Sequence, residues 1–531
     1  ATLTKSTRFL PTIPVRCVAE SERISEIYQF PPPYPRASTT TREPLTDSSP
    51  ISPAPSSRPE SPLLEMLKIA APTVATMTSY TLMQFVDKMM CSRISNDPVW
   101  VGAQGNGGLA AWVPISIVMG SLFVINSFVS QNLGAGKPEK TAAYCWNGLW
   151  ICLAAWLLLI PYGLGLGNLF ALIRNLEGLS TDQIAAVLRR DHLATGYGQI
   201  LIFGSGLTMC TRAISQYFYG LHKPGIILMA GLMGNLTNLL LNYCLIYGNF
   251  GFPALELNGA AIATVIGTGV EFILPFFIFF WKLNPTHHTR AAWRPSWSHI
   301  KELLKVGWPG GAMFGNEMIC WSIFMVYLVG GFGPDHSTAG WIAHQWMTLS
   351  FMPAVGISIA VTAVVGKQIG AGNPEEAARR AKLGLTLAMI YMGFCGICFI
   401  LFRKQMVSVF IESDTDPAKA AFLISMGGKF LIATAAFQLG DAIAMVLSGA
   451  LRGAGDTVWI GIVTVALSWI IIVGGGVSLV HFAPQLESVG PWIAAAAYIL
   501  ALATAVGWRF ASGKWKAMSL VKKDTPLIAA H

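Results

Sequence analysis

The sequence predicts an all-α membrane protein, with twelve transmembrane helices in two pseudo-symmetric six-helix lobes. Three observations predict it. The 531 residues are 53% hydrophobic and only 12% charged, about half the charge of a soluble domain. Apolar runs long enough to cross a bilayer recur from Leu63 onward. A Gly-Ala-Gly-x-Pro-Glu signature appears twice, at 134–139 and at 370–375, six runs apart.

The apolar runs lie near 64–92, 107–133, 140–165, 192–220, 225–248 and 257–282, then near 304–331, 338–369, 375–403, 418–451, 457–483 and 487–512. Only helices and closed barrels cross lipid, and these runs are too long for barrel strands. Residues 63–282 form the expected N-lobe, 283–303 a basic linker, 304–512 the C-lobe and 513–531 a C-terminal tail. Residues 1–62 are rich in Pro, Ser and Thr and read as a disordered tail. Arg8 and Arg16 among hydroxyl residues suggest a transit peptide, whereas Glu20, Glu22 and Glu26 oppose that reading.

The net charge of +9 is spread between apolar runs, not gathered into a nucleic-acid patch. Alternate gaps carry Lys137 and Lys140; Lys223; Lys282, Arg290, Arg294, Lys301 and Lys305; Arg379, Arg380 and Lys382; and Arg452, and the C-terminal end adds Arg509, Lys514, Lys516, Lys522 and Lys523. The other gaps carry Asp97, Glu177, Asp182, Asp335, Glu412, Asp414, Asp416 and Glu487, with Arg174, Arg189, Arg190, Arg403 and Lys404 as exceptions. The positive-inside rule then places both termini and the linker in the cytoplasm of a multi-pass cell-membrane protein. Cys395 and Cys398 form a C-x-x-C inside an apolar run, where they read as small hydrophobes. His222, His287, His288 and His299 fall in predicted loops without metal spacing.

The halves align beyond the signature. VSQNLGAGKPEKTAA from Val129 matches VGKQIGAGNPEEAAR from Val365, and Gly120 matches Gly356 at the same offset. YGLHKP from Tyr219 corresponds to RGAGDT from Arg452, with Gly220 opposite Gly453. Six spans separate the repeats, so their orientation is the same and the symmetry axis runs along the membrane normal. The signature is expected to shape the turns after the second and eighth spans, its glycines giving close packing and unusual dihedrals and its proline breaking the helix.

Taken with FVDKMM at 85–90, GNLTNLLLNYCLIYG at 234–248, ELNGAAIATVIG at 256–267, VGWPGGAMFGNEM at 306–318 and GDAIAMVLSGALRGAGDT at 440–457, these repeats carry a family resemblance. The chain resembles the MATE (multidrug and toxic compound extrusion) transporters over residues 63–512. The resemblance implies a secondary active antiporter, not an enzyme, that exports small organic compounds in exchange for Na⁺ or H⁺.

Charge inside a bilayer costs at least ~2.5–3.5 kcal/mol per group, so each intramembrane ionisable residue is a functional candidate. The resemblance makes Glu317 the coupling carboxylate of the C-lobe and Asp441 its partner, a pair that could share a proton or a Na⁺ ion. Gln438 lies one turn from Asp441 on the same face. Phe437 stands where the family often carries Tyr, which removes an oxygen ligand from a Na⁺ site. Asp87 matches the family's N-lobe acid, although Lys88 follows it. Arg212 and Glu271 are expected at similar depth and read as an ion pair tying the fourth span to the sixth. Asn235, Asn238 and Asn242 fall near one helix face and, with Gln438 and Phe437, are substrate-cavity candidates.

The acidic cavity favours cationic, amphipathic substrates. A lipid-linked saccharide flippase of the same superfamily would carry basic cavity residues, and an organic-anion exporter is the other alternative. No H-E-x-x-H or G-x-S-x-G motif suggests an intramembrane enzyme. Paired acids in duplicated lobes favour alternating access over a passive channel. No cofactor is expected beyond the coupling ion. The expected partners are small-molecule substrates and the lipid bilayer, with no nucleic acid, and a monomer suffices for two lobes around one cleft.

Overall fold

The structure, a computed structural model, describes residues 61–95, 99–174, 180–411 and 416–521. The N-terminal tail, the acids Asp97, Glu177, Glu412 and Asp414, and Lys522 and Lys523 lie outside them.

Twelve long helices account for most of the described residues. They are α1 (Pro62–Ser92), α2 (Val99–Gly134), α3 (Pro138–Leu164), α4 (Thr181–Gly220), α5 (Pro224–Tyr247) and α6 (Glu256–Lys282), then α7 (Trp297–Phe332), α8 (Pro334–Gly370), α9 (Pro374–Leu401), α10 (Pro417–Ala454), α11 (Thr457–Phe482) and α12 (Val489–Ala511). Six of them open on proline, whose fixed φ and missing N–H suit a first turn. Ten are long and apolar enough to cross a membrane. The other two carry more charge: Glu65, Lys68, Asp87 and Lys88 on α1, and Asp182, Arg189, Arg190, Asp191 and Arg212 on α4.

Three helices begin earlier than their apolar runs suggest. α4 starts at Thr181 because Ser180 and Gln183 form a capping box, which carries the helix through polar sequence. α2 starts at Val99. α7 starts at Trp297, inside the segment read as linker. What remains of the linker is pinned to α3. The Trp146 and Trp150 indoles donate to the Thr289 and Trp293 carbonyls at 2.7 and 2.8 Å, and Ser296 N–H donates to Asn147 Oδ1 at 2.8 Å. His287 is buried against Thr141 and the Pro138 carbonyl, both at 3.0 Å.

The lobes meet through glycines related by the sequence repeat. A Cβ on Gly134 would lie 1.9 Å from the Lys367 carbonyl oxygen, and one on Gly370 would lie 2.0 Å from that of Gln131. Gln131 and Lys367 are themselves equivalent positions of the repeat, so the two contacts form one pseudo-symmetric pair. Gly120 and Gly356 behave alike: the first meets Gly310 of α7, the second Val74 of α1. The Gly-Ala-Gly motif therefore has two tasks. Its second glycine, Gly136 or Gly372, takes positive φ (72° and 78°) and closes the turn. Its first brings one lobe's backbone onto the other's.

Side-chain bonds between the lobes lie at the same end of the bundle, the end that holds the start of α1 and the end of α12. Asn126, Ser127 and Gln131 donate to carbonyls of Ile359, Arg452 and Gly453. Arg380 pairs with Glu65, as does Lys367 at 3.5 Å, and the Tyr144 hydroxyl donates to Glu302 at 3.0 Å. Val113 of α2 and Met318, Ser322, Val326 and Tyr327 of α7, among others, line an apolar cleft of about 220 Å³.

His222 caps this seam. Its Nε2–H faces the Ala363 carbonyl at 3.1 Å, and burial pushes its pKa from 6.5 down to about 4. A neutral imidazole favoured by the fold stabilises it fully above pH 6.5, and that contribution is lost as pH falls from 6.5 through 4. Thermal unfolding midpoints should therefore decline over that window. The decline should be shallower in His222→Asn, since Asn tolerates the left-handed backbone there. Gly134→Val should lower the midpoint strongly, by the equivalent of about 1–3 kcal/mol or more, through overpacking. Gly105→Ala, with open space around its Cβ position, should leave it unchanged.

Candidate functional site

Two polar clusters occupy the lobe interiors. In the N-lobe, Asp87 of α1 accepts from Asn242 Nδ2 of α5 at 2.6 Å. With its amide nitrogen turned toward the carboxylate, Asn238 donates to the same oxygen at 2.9 Å, while its oxygen accepts from Thr264 of α6 at 3.2 Å. One carboxylate is thus held by two amides one turn apart on one helix, an arrangement that α5 supplies through its i, i+4 spacing. Lys88 is exposed on the neighbouring face and forms no ion pair with Asp87 among the described residues.

The C-lobe cluster is built on α7 and α10. Asn316 ties α7 to the π-helical turn of α11, donating to Ser468 Oγ at 2.8 Å and accepting from the Trp469 indole at 2.7 Å. That anchor fixes the turn bearing Glu317. Glu317 and Asp441 are each half-buried, interact electrostatically, and form no ion pair among the described residues. Arg452, near the foot of α10, also acts on Glu317 through space, while its guanidinium donates to Ser358 Oγ at 3.2 Å. No set of three or more His, Cys, Asp or Glu side chains gathers as a metal cage among the described residues.

Several expectations need correction. Arg212 and Glu271 do not form a direct ion pair: Tyr80 of α1 stands between them. Its hydroxyl donates to Glu271 Oε1, and its ring lies 4.3 Å from the Arg212 guanidinium carbon. Phe437 does not face a cavity. It is 1% exposed and packs in the C-lobe core with Phe430 and Trp492. Gln438 is also 1% exposed, and its amide donates to Ser350 Oγ of α8 at 3.0 Å, so it braces α10 against α8. Asn238 and Asn242 are buried as partners of Asp87, whereas half-buried Asn235 donates to Ser79 Oγ at 3.2 Å. Cys395 and Cys398 are free thiols.

Sequence reasoning missed Tyr80, Thr264 and Asn316. Tyr80 was detectable, because it lies seven residues before Asp87 and shares its helix face. Asn316, adjacent to Glu317, faces away from it and has no comparable signal.

The MatE family model matches residues 72–244 and 316–475, most of the chain. The chain belongs to the MatE family. It is therefore a multi-pass membrane transporter of this family, built as two six-helix lobes. A probable multidrug resistance protein NorM of Pseudomonas syringae pv. tomato is 28% identical over 465 residues, covering 86% of this chain and 96% of that protein. The NorM of Geobacillus kaustophilus is 30% identical over 387 residues, covering 72% and 80%. The multidrug resistance protein PmpM of Pseudomonas aeruginosa is 29% identical over 432 residues, covering 78% and 84%. Among solved structures, a MATE in complex with MaL6 superposes with a TM-score of 0.75 at 20% identity, covering 85% of this chain and 97% of that one. The eukaryotic MATE transporter AtDTX14 gives 0.70 at 17% identity, covering 86% and 96%.

Within this MatE-family N-lobe, the amides holding Asp87 should differ in weight. A hydrogen bond to a charged group contributes about 1.5–3 kcal/mol and a neutral one about 0.5–1.5 kcal/mol. Asn242→Ala should accordingly lower the unfolding midpoint more than Asn235→Ala, whose partner is a hydroxyl. Equal losses would mean that Asp87 does not depend on Asn242.

Proposed function

We propose that the protein is a secondary active antiporter that exports small organic, cationic and amphipathic compounds in exchange for inward-moving Na⁺ or H⁺. The carrying observation is the Glu317–Asp441 pair. Two half-buried carboxylates share one electrostatic field inside a membrane transporter, with Arg452 acting on Glu317 through space and no direct ion pair to either among the described residues. Like charges so placed repel, which gives the pair a reason to take up a proton or a bound cation as the coupling ion. The names of the relatives, multidrug resistance proteins, support the export of varied compounds.

Coupling follows from differential binding. An ion that binds the pair better when the lobes open on one side stabilises that state and commits the substrate to release there. The seam of glycines and side-chain bonds at the termini-bearing end fits a state closed on that side and open on the other. Basic loops at that end support a cytoplasmic seam, with both termini cytoplasmic in a cell-membrane monomer.

Efflux of a fluorescent organic cation from proteoliposomes, under separate Na⁺ and pH gradients, tests this reading. Gradient-driven efflux in wild type should fall about tenfold or more in Glu317→Gln, the factor that ~1.4 kcal/mol of lost differential binding produces. Wild-type protein that moves no cation under either gradient would sink the proposal in favour of an anionic or lipid-linked substrate.

A further inference from the structure

The segment that follows α12 folds back onto the bundle. Gly513 takes a φ of 68°, a left-handed conformation that suits glycine. It turns the chain into a single 3₁₀ turn at Lys514–Ala517. Trp515 of that turn is fully buried in the apolar core around α10 and α12. Its ring stacks on Phe510 at 5.0 Å, and its indole donates to the Phe510 carbonyl at 2.9 Å. Lys516 reaches α9, where its Nζ lies 2.9 Å from both carboxylate oxygens of Glu375, the last residue of the second signature. The first half makes a related contact: His287, after α6, lies against the Pro138 carbonyl of the first signature. Each half thus tucks the segment after its sixth helix against the start of its third.

The segment after α12 goes further and reaches the other lobe. Leu520 N–H donates to Oε1 of Gln131 on α2 at 2.7 Å. The Leu520 side chain covers the end of α10, where a Cβ on Gly455 would lie 2.8 Å from it, and packs against the N-lobe core. Gln131 sits at the centre of the lobe crossing. It is fully buried, its carbonyl is the one that Gly370 approaches, and its Nε2 donates to the Gly453 carbonyl at 2.8 Å. One amide therefore holds two parts of the C-lobe at once, the end of α10 and the backbone after α12. A movement that separates α2 from α10 carries Gln131 away from both. Lys367, the repeat equivalent of Gln131, is met in the same way by Glu65 of α1.

We propose that residues 514–521 are a strap that holds the seam between the lobes closed, fastened to the C-lobe by Trp515 and Lys516 and to the N-lobe at Gln131. The strap itself is argued from these contacts. What it gates rests on the two-sided opening of the lobes proposed above. Its two ends differ in strength. Burial of a whole indole fixes the Trp515 end, whereas an exposed ion pair such as Lys516–Glu375 contributes little beyond placement. The N-lobe end is one hydrogen bond and part of one leucine side chain, a contact small enough to break and re-form as the seam opens and closes. Gln131 is the positioning residue, because both halves of its amide are used only while the seam is shut.

Hydrogen–deuterium exchange of the full chain in lipid nanodiscs, followed by mass spectrometry, tests the strap. Leu520→Pro removes the N–H that Gln131 accepts and leaves the residues of the seam untouched. Losing one hydrogen bond shifts an equilibrium about two- to tenfold, so amides at 127–137 and 362–372 should exchange faster by about that factor. Lys516→Glu alters an exposed ion pair and puts folding at little risk. It should speed the same amides by a smaller factor, and adding Glu375→Lys should reverse the effect. Amides at 330–338, at the far end of the bundle, separate the strap from the reading it rests on. Slower exchange there beside a faster seam supports both. A faster seam with the far end unchanged supports the strap and counts against two-sided opening. Seam exchange equal to wild type in both variants would overturn the proposal, since the segment would then lie on the bundle without holding it. Exchange raised equally at both ends would also overturn it, as the variants would only be loosening the fold.

Discussion

The structure depends on one close approach, that of backbone to backbone where the lobes cross. Gly134 and Gly370 each lie so near a carbonyl of the opposite lobe that a single added carbon would overlap it. No side chain intervenes, so dispersion acts at its shortest range and the position of one lobe fixes that of the other. The two contacts are symmetry-equivalent, so the crossing is one seam to which both halves contribute alike.

This crossing limits where the polar groups can sit. Among the described residues the seam's close contacts are made by backbone and polar side chains, and its ion pairs join Glu65 to Arg380 and Lys367. The acids lie farther along the helices: Asp87 and Glu271 within one lobe, Glu317 and Asp441 within the other. Each lobe therefore encloses its own acids, away from the crossing. Glu317 and Asp441 both interact through space with groups inside their own lobe, so the substate of one lobe need not be copied by its partner.

The fold was largely legible because its signals are long and repetitive. Apolar runs of bilayer length and a signature recurring six spans apart both act along the sequence. The positions of Glu317, Asp441 and Asp87 on their helices were legible for the same reason. What was not legible depends on which faces meet. Phe437 and Gln438 occupy a face that packs against other C-lobe helices, and sequence spacing cannot distinguish that face from one bordering the cleft. The Arg212–Glu271 pairing was right in depth but wrong in contact, because Tyr80 enters from a third helix far away in sequence. The signature glycines were expected to give both close packing and unusual dihedrals, and the structure divides these tasks, since only the second of each pair has positive φ. The role of the first requires a surface that belongs to the other half of the chain.

The clamped linker has a further consequence. Trp146, Asn147, Trp150 and Thr141 hold residues 287–296 against α3, so this connection belongs mechanically to the first lobe. The covalent continuity between lobes is then confined to a short passage into α7. Everything else that aligns the halves is non-covalent and symmetric. The chain is accordingly divisible: two separate polypeptides, parted within the exposed stretch of the linker, would retain every surface by which the halves find each other. A single chain of two such halves has the architecture of a dimer whose partners have been joined end to end.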